Sequence, residues 1–143
     1  MVILQGAAGV LFNEDLTEIL VIIEDETNDS YGKEAGMLSI PMGTIKPNEE
    51  PEKTIVRELS EETGYSGKIS HFLGVFPITG FEAEVSAYII EPVNGFRKTS
   101  KAELKSSWIS LEALISYPFV RPPTKEILLS AVRFLRHKKR ISC

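Results

Sequence analysis

The chain is poor in the residues that build cross-links and soft-metal sites. It has one cysteine, Cys143, in 143 residues, which excludes an internal disulfide framework and a thiolate metal cluster. A reducing cytoplasm is therefore the expected location. Its two histidines, His71 and His137, have no ligand spacing. Long apolar runs are also missing, and no stretch approaches the length of a membrane span. The first ten residues lack a basic segment and read as a strand, not a signal peptide. Positive charge is not in excess: 16 Lys+Arg against 20 Asp+Glu give a net charge of −4, which argues against a long nucleic-acid backbone as partner. The basic C-terminal run from Arg133 to Arg140 suits a helix end, where cations complement the dipole. Repeats, low-complexity tracts and linkers are absent. With 43% apolar and 25% charged residues, the expectation is one domain over residues 1–143, large enough to bury a core. The oligomeric state stays open, a homodimer included.

Two kinds of periodicity alternate along the chain. Strands are expected at Val2–Phe12 and Glu18–Glu24, with a turn at Asn13-Glu14-Asp15 between them. Residues 25–36 read as a polar loop, and Met37–Ile40 as a short strand. Lys68–Pro77 and Glu82–Glu91 read as an antiparallel pair. Residues 92–107 read as a second polar loop, followed by a short helix at Leu111–Ile115. A longer amphipathic helix, Thr124–Arg136, carries Ile127, Leu128, Ala131 and Leu135 on one side.

The densest information lies in residues 43–65, GTIKPNEEPEKTIVRELSEETGY. Pro51 suits the first turn of a helix and Gly64 the residue just past its end. Ile55, Val56 and Leu59 form an apolar face between them. Glu58, Glu61 and Glu62, at i, i+3 and i+4, share a neighbouring face. Three anions this close repel unless a cation sits among them. A hard divalent ion takes carboxylate oxygens, and Mg²⁺ keeps positions for water and substrate phosphates. A solvated face with Arg57 paired to Glu61 is the plain alternative. The preceding Ile40-Pro41-Met42-Gly43-Thr44 turn, however, brings backbone carbonyls beside the cluster. Eight fixed positions (Gly43, Glu49, Arg57, Glu58, Leu59, Glu61, Glu62 and Gly64) at this spacing arise by chance about once in ten million chains of this length.

These eight residues resemble the Nudix box of the Nudix (MutT-like) hydrolases, G-x5-E-x7-R-E-U-x-E-E-x-G-U, with U an aliphatic residue. Tyr65 departs from the final aliphatic position, and Pro41-Met42-Gly43 stands where many members have Pro-Gly-Gly. Tyr65 is expected to affect packing and Met42 the shape of the loop, without loss of a ligand. Weaker resemblance covers Gly6–Phe12, Trp108–Leu114 and Arg121-Pro122-Pro123-Thr124. The resemblance implies an α/β protein with the Nudix fold, an α/β/α sandwich around a mixed β-sheet. It further implies hydrolysis of a nucleoside diphosphate linked to another group, with Mg²⁺ or Mn²⁺.

By the same resemblance Glu58 and Glu62 are the primary metal carboxylates and the Gly43 carbonyl a further ligand. Glu61 is a ligand or the water activator. Arg57 orients the glutamates, with Glu49 its partner or a water-mediated ligand. The general base is Glu61 or, second, Glu103 in the loop before Trp108, with Glu82, Glu84 and Glu91 as later acids. Arg97, Lys98, Lys101 and Lys105 could grip a distal phosphate, although a basic loop is ordinarily solvent-facing surface. Phe12, Tyr31, Phe76 and Phe81 could stack a nucleobase, although each has an ordinary packing role. The partner implied is a small nucleotide-type substrate, neither nucleic acid nor membrane. Two other functions remain open: a Nudix-fold module that senses a nucleotide without cleaving it, and a hydrolase of a non-nucleotide polyphosphate.

Overall fold

A computed structural model describes residues 3–25, 27, 34–78, 80–93 and 106–141, with backbone alone at 139–141. Two sheets and three helices make up this part. Strands β1 (Leu4–Leu11), β4 (Met42–Thr44), β5 (Gly67–Pro77) and β6 (Ala83–Pro92) form a four-stranded sheet in the order β4-β1-β6-β5. The β1–β6 pair is parallel and the β1–β4 and β5–β6 pairs are antiparallel, so the sheet is mixed. Strands β2 (Glu18–Ile23), β3 (Leu38–Ser39) and β7 (Ser106–Ser110) form a second, antiparallel sheet in the order β3-β2-β7. The helices are α1 (Pro51–Thr63), α2 (Leu111–Ser116) and α3 (Thr124–Ile141).

The two central strands of the larger sheet are apolar on both faces because both are covered. On one face Ala8, Val10, Val85, Ala87 and Ile89 meet Ile127, Leu128 and Ala131 of α3. On the other, Ala7, Leu11, Tyr88 and Ile90 meet Ile55 and Leu59 of α1. This is the expected sandwich, a mixed sheet between α1 and α3. The second sheet reaches both layers: Ile19 and Val21 of β2 enter the α3 side, and Leu20 the α1 side.

The fine structure departs from the sequence expectation in three places. The strand expected at Met37–Ile40 is β3, and the Ile40–Thr44 turn expected after it holds a further strand, β4, in the other sheet; Pro41 lies between them and its carbonyl accepts from Gly9 N–H at 3.0 Å. The end of the expected polar loop 92–107 is strand, because Ser106–Ser110 pairs with Glu18–Ile22 of β2. Its Ser-Ser-Trp-Ile-Ser sequence has little strand propensity, and the partner supplies the pairing. Helix α3 continues to Ile141, beyond the expected Arg136. Among the described residues no helix is long and apolar enough to cross a membrane.

The α1 layer has no slack at its centre. A Cβ on Gly9 would lie 2.8 Å from Ile55 Cγ1 and 2.9 Å from Ile90 Cγ1, so these two side chains press directly on the β1 backbone there. Gly9→Ala is expected to destabilise the fold by about 1–3 kcal/mol through overpacking. A urea titration checks this; an unchanged or raised midpoint would show that the interface has room to spare.

Candidate active site

Helix α1 is placed by its ends. Pro51 occupies the first turn, and Gly64 caps the other end at φ 80, its N–H donating to Ser60 O at 2.9 Å. Before the helix, residues 46–49 turn back on themselves: Glu49 N–H donates to Lys46 O at 3.0 Å. This turn presents the Glu49 carboxylate to the helix, where Thr54 Oγ1 donates to Oε1 at 2.7 Å. Ile55 and Leu59 are buried as expected, and Val56 is only partly so.

Arg57 lies among the carboxylates. Its Nε and Nη2 each donate to Glu49 at 3.0 Å, a two-point contact. Its Nη1 donates to Glu58 at 2.9 Å and to Glu61 at 3.2 Å. One guanidinium therefore fixes three carboxylates from two parts of the chain. The hydrogen bonds from Arg57 and Thr54 hold the Glu49 carboxyl down at about 2. The same contacts push Arg57 further up, so it stays charged under all ordinary conditions.

The three helix carboxylates, alike in sequence, differ in environment. Glu61 is 58% exposed and Glu58 only 18% exposed at their side chains. Glu62 goes deeper: its Oε1 is buried and has no hydrogen-bond partner among the described residues. Burial pushes the Glu62 carboxyl up to about 9, and the neighbouring Glu58 carboxylate adds to the effect. Glu62 is therefore the carboxyl of this cluster that holds a proton near neutrality. Gly43 of β4 completes the floor. A Cβ there would collide with the Glu58 carboxyl, so glycine alone lets the β4 backbone meet that side chain.

These residues form one end of a cleft of about 430 Å³. Gly43, Glu58, Glu61 and Glu62 line it together. Glu24 and Asp25, after β2, line it as well, with Arg121. Arg121 Nη1 lies 3.4 Å from Glu24 Oε1, and the two residues are 8% and 7% exposed. At the far end Leu4, Ile78, Ala83 and Val85 make an apolar wall, with Glu84 and Gln5 beside it. Gln5 Nε2 donates to Glu84 at 3.3 Å.

The structure thus brings together Gly43, Arg57, Glu58, Glu61 and Glu62. Glu84 reaches the cleft. Glu91 does not; it faces Lys68 at 3.8 Å and Ser70 on the neighbouring strand. Glu82 is exposed and Phe12, Phe76 and Phe81 do not line the cleft; Phe12 is core. Glu103, Tyr31, Arg97, Lys98, Lys101 and Lys105 lie outside the described residues. Tyr65 packs in the α1 core, its ring 5.9 Å from Trp108 at 73°, and its hydroxyl accepts from Trp108 Nε1 at 3.2 Å. The departure at that position therefore ties the end of α1 to β7. Sequence reasoning missed Glu24 and Arg121. Glu24 looked like the polar end of an apolar strand, and Arg121 was noted only within its Arg-Pro-Pro-Thr segment.

Among the described residues no three acidic or histidine side chains already converge as a cation cage. Arg57, bonded to Glu49, Glu58 and Glu61, holds the cluster instead. The donor set still fits a hard divalent ion: it is all oxygen, and it includes an orphaned buried carboxyl oxygen and a carboxylate against an exposed backbone turn.

The NUDIX domain family matches residues 3–130. A putative 8-oxo-dGTP diphosphatase of Bacillus subtilis is 32% identical over 80 residues, 56% of this chain and 48% of that protein. An ADP-ribose pyrophosphatase of the same organism is 40% identical over 83 residues, 56% of this chain and 42% of that protein. Human diphosphoinositol polyphosphate phosphohydrolase 2 is 29% identical over 115 residues, 78% of this chain and 60% of that protein. The chain therefore spans about half the length of the curated relatives it matches. Among solved structures, a NUDIX hydrolase from Nitrosomonas europaea superposes with a TM-score of 0.75 at 20% identity, covering 92% of this chain and 90% of that one, which shows a shared fold.

The Glu49–Arg57 pair yields a test by pH. The lowered Glu49 carboxyl contributes stability that is complete above its unfolded value near 4.5 and is lost as pH falls toward 2. The Tm gap between wild type and Glu49→Gln should be widest near neutrality and narrow between pH 5 and 3. A gap independent of pH would show that the contact carries no charge-dependent stability.

Proposed function

Because this chain belongs to the NUDIX family, we propose that residues 1–143 act as one divalent-metal-dependent pyrophosphohydrolase domain, cleaving a nucleoside diphosphate linked to another group. The observation that carries this reading is the neighbouring Glu58 and Glu62 carboxyl groups, with the orphaned buried oxygen of Glu62, on the floor of an open cleft. Glu58, Glu62 and the Gly43 carbonyl would hold Mg²⁺ or Mn²⁺, with Glu61 beside them. Bound there, such an ion supplies neutralisation of the phosphoryl oxygens and activation of the attacking water.

The chain's own residues do the rest. Arg57 holds Glu49, Glu58 and Glu61 in fixed register, so the carboxylates need not reorganise when substrate arrives. Glu61 is exposed at the cleft and can take the proton of the attacking water. The apolar wall at the other end suits the group attached to the diphosphate. Intact carboxylates favour turnover over mere sensing. The diphosphoinositol relative supports a second substrate class, a non-nucleotide polyphosphate, on the same site.

Two experiments test the reading. A metal ion bound at Glu62 must displace the proton that its raised carboxyl holds. Mg²⁺ binding should therefore release a proton at pH 7 and tighten as pH rises toward 9. Glu62→Gln mimics the protonated side chain, so it should fold as well as wild type while turnover falls on the order of a hundredfold. Full turnover in excess chelator, or a Glu62→Gln enzyme at wild-type rate, would remove the metal assignment.

The base is separated by kinetics. With Glu61 as base, Glu61→Gln should lower kcat by about 10²–10⁴-fold and Glu103→Gln far less. The reverse ranking at saturating Mg²⁺ assigns the proton to Glu103. Small effects in both variants would direct attention to Glu84, the remaining candidate acid that lines the cleft.

A further inference from the structure

We infer that Arg121 is a substrate-phosphate ligand of this cleft, and that Glu24 is the internal anion that occupies its guanidinium until a phosphate arrives. The inference rests on the reading of the cleft as a diphosphate site, and it names a residue outside the box.

The first argument is charge. Glu24, Asp25, Glu58, Glu61, Glu62 and Glu84 all line the cleft, and Arg121 is the one cationic side chain that does so among the described residues. A diphosphate entering this space meets carboxylates on nearly every side. A metal ion at the α1 end offsets Glu58 and Glu62. The wall formed by the end of β2 and the start of α3 needs its own counter-charge, and Arg121 stands there.

The second argument is rigidity. Arg121 N–H donates to Leu38 O at 2.8 Å, and Leu38 N–H donates to Phe119 O at 3.1 Å. Its carbonyl accepts from Thr124 N–H at 2.9 Å, where α3 begins. The backbone is clamped between β3 and α3, so the side chain is aimed before any ligand binds. A preorganised guanidinium fork matches phosphate oxygens with little loss of freedom.

The third argument is the looseness of the internal pair. The 3.4 Å contact with Glu24 is longer than the 2.7–2.9 Å of a charge-assisted bond. A guanidinium has five N–H donors, so Arg121 can donate to a phosphate oxygen while it keeps other partners.

The test measures calorimetric binding of methylenediphosphonate, whose P–C–P link cannot be hydrolysed, at saturating Mg²⁺. Mg²⁺ affinity is measured separately for each protein. Arg121→Gln should weaken diphosphonate binding about tenfold to a hundredfold without weakening Mg²⁺ binding. Glu24→Gln should tighten diphosphonate binding, because the competing anion is gone. The double variant Glu24→Gln, Arg121→Gln removes both charges of the pair together, so it gives the same comparison even where Arg121→Gln alone fails to fold; it should bind as weakly as Arg121→Gln. Several results overturn the inference: a wild type that does not bind the diphosphonate, single variants that lose Tm but keep wild-type affinity, or a double variant with wild-type affinity. So does a Glu24→Gln protein with weakened Mg²⁺ binding, which would make Glu24 a metal carboxylate. A wild type that binds the diphosphonate through Arg121 yet hydrolyses no diphosphate would instead reject the hydrolase reading alone.

Discussion

Ionised carboxylates one helical turn apart repel, and the repulsion grows as water is removed from between them. Glu58 and Glu62 stand in that relation on α1, with the Glu62 oxygen fully enclosed. The fold tolerates them because Arg57 bonds Glu58 and burial raises the Glu62 carboxyl so that it keeps its proton. Each neighbour is set by that need. Gly43 must lack a side chain so that β4 can meet Glu58, and Glu49 must return from the preceding turn to hold Arg57. The box spacing is a record of these contacts: five residues of turn between Gly43 and Glu49, then seven to the guanidinium.

Much of this was legible in the sequence. The limits of α1 follow from Pro51 and Gly64, because both residues have strong backbone preferences. The carboxylate face follows from helical periodicity. The gradation within that face does not, since i, i+3 and i+4 spacing says that side chains are neighbours but not how deep each goes. Depth is decided by what packs opposite, here β4 and the end of β2. The same reason hid Glu24. A glutamate ending the run Glu-Ile-Leu-Val-Ile-Ile-Glu reads as a solvated strand end, and only the segment from α2 to α3, far away in sequence, encloses it with Arg121.

The strand errors have a related cause. Ser106–Ser110 is strand because β2 lacks another partner on that side, not because its residues favour extension. Met37–Ile40 carries enough apolar residues for one strand, but Pro41 separates Leu38–Ser39 from Met42–Thr44 and the two join different sheets. That division is functional in consequence. The first piece anchors the backbone of Arg121 through Leu38, and the second places Gly43 against Glu58. One break in one short segment therefore fixes both a cation and an acidic floor in the same cleft.

Specificity is a separate matter from the chemistry of the floor. Three relatives at 29% to 40% identity are named for three different substrates, so likeness of this degree does not choose among them. The floor is made by α1 and β4. The opposite wall is made by Leu4 and Gln5 of β1, Ile78, and Ala83, Glu84 and Val85 at the start of β6. Those positions alternate along paired parallel strands, Gln5 facing Glu84 in register and Gly6 facing Val85. Consecutive residues of a strand point to opposite sides, so this wall can change its polar and apolar surface by single substitutions while α1 stays intact. Under the proposed hydrolase reading, one acidic floor would serve different attached groups, with the wall residues deciding which group binds.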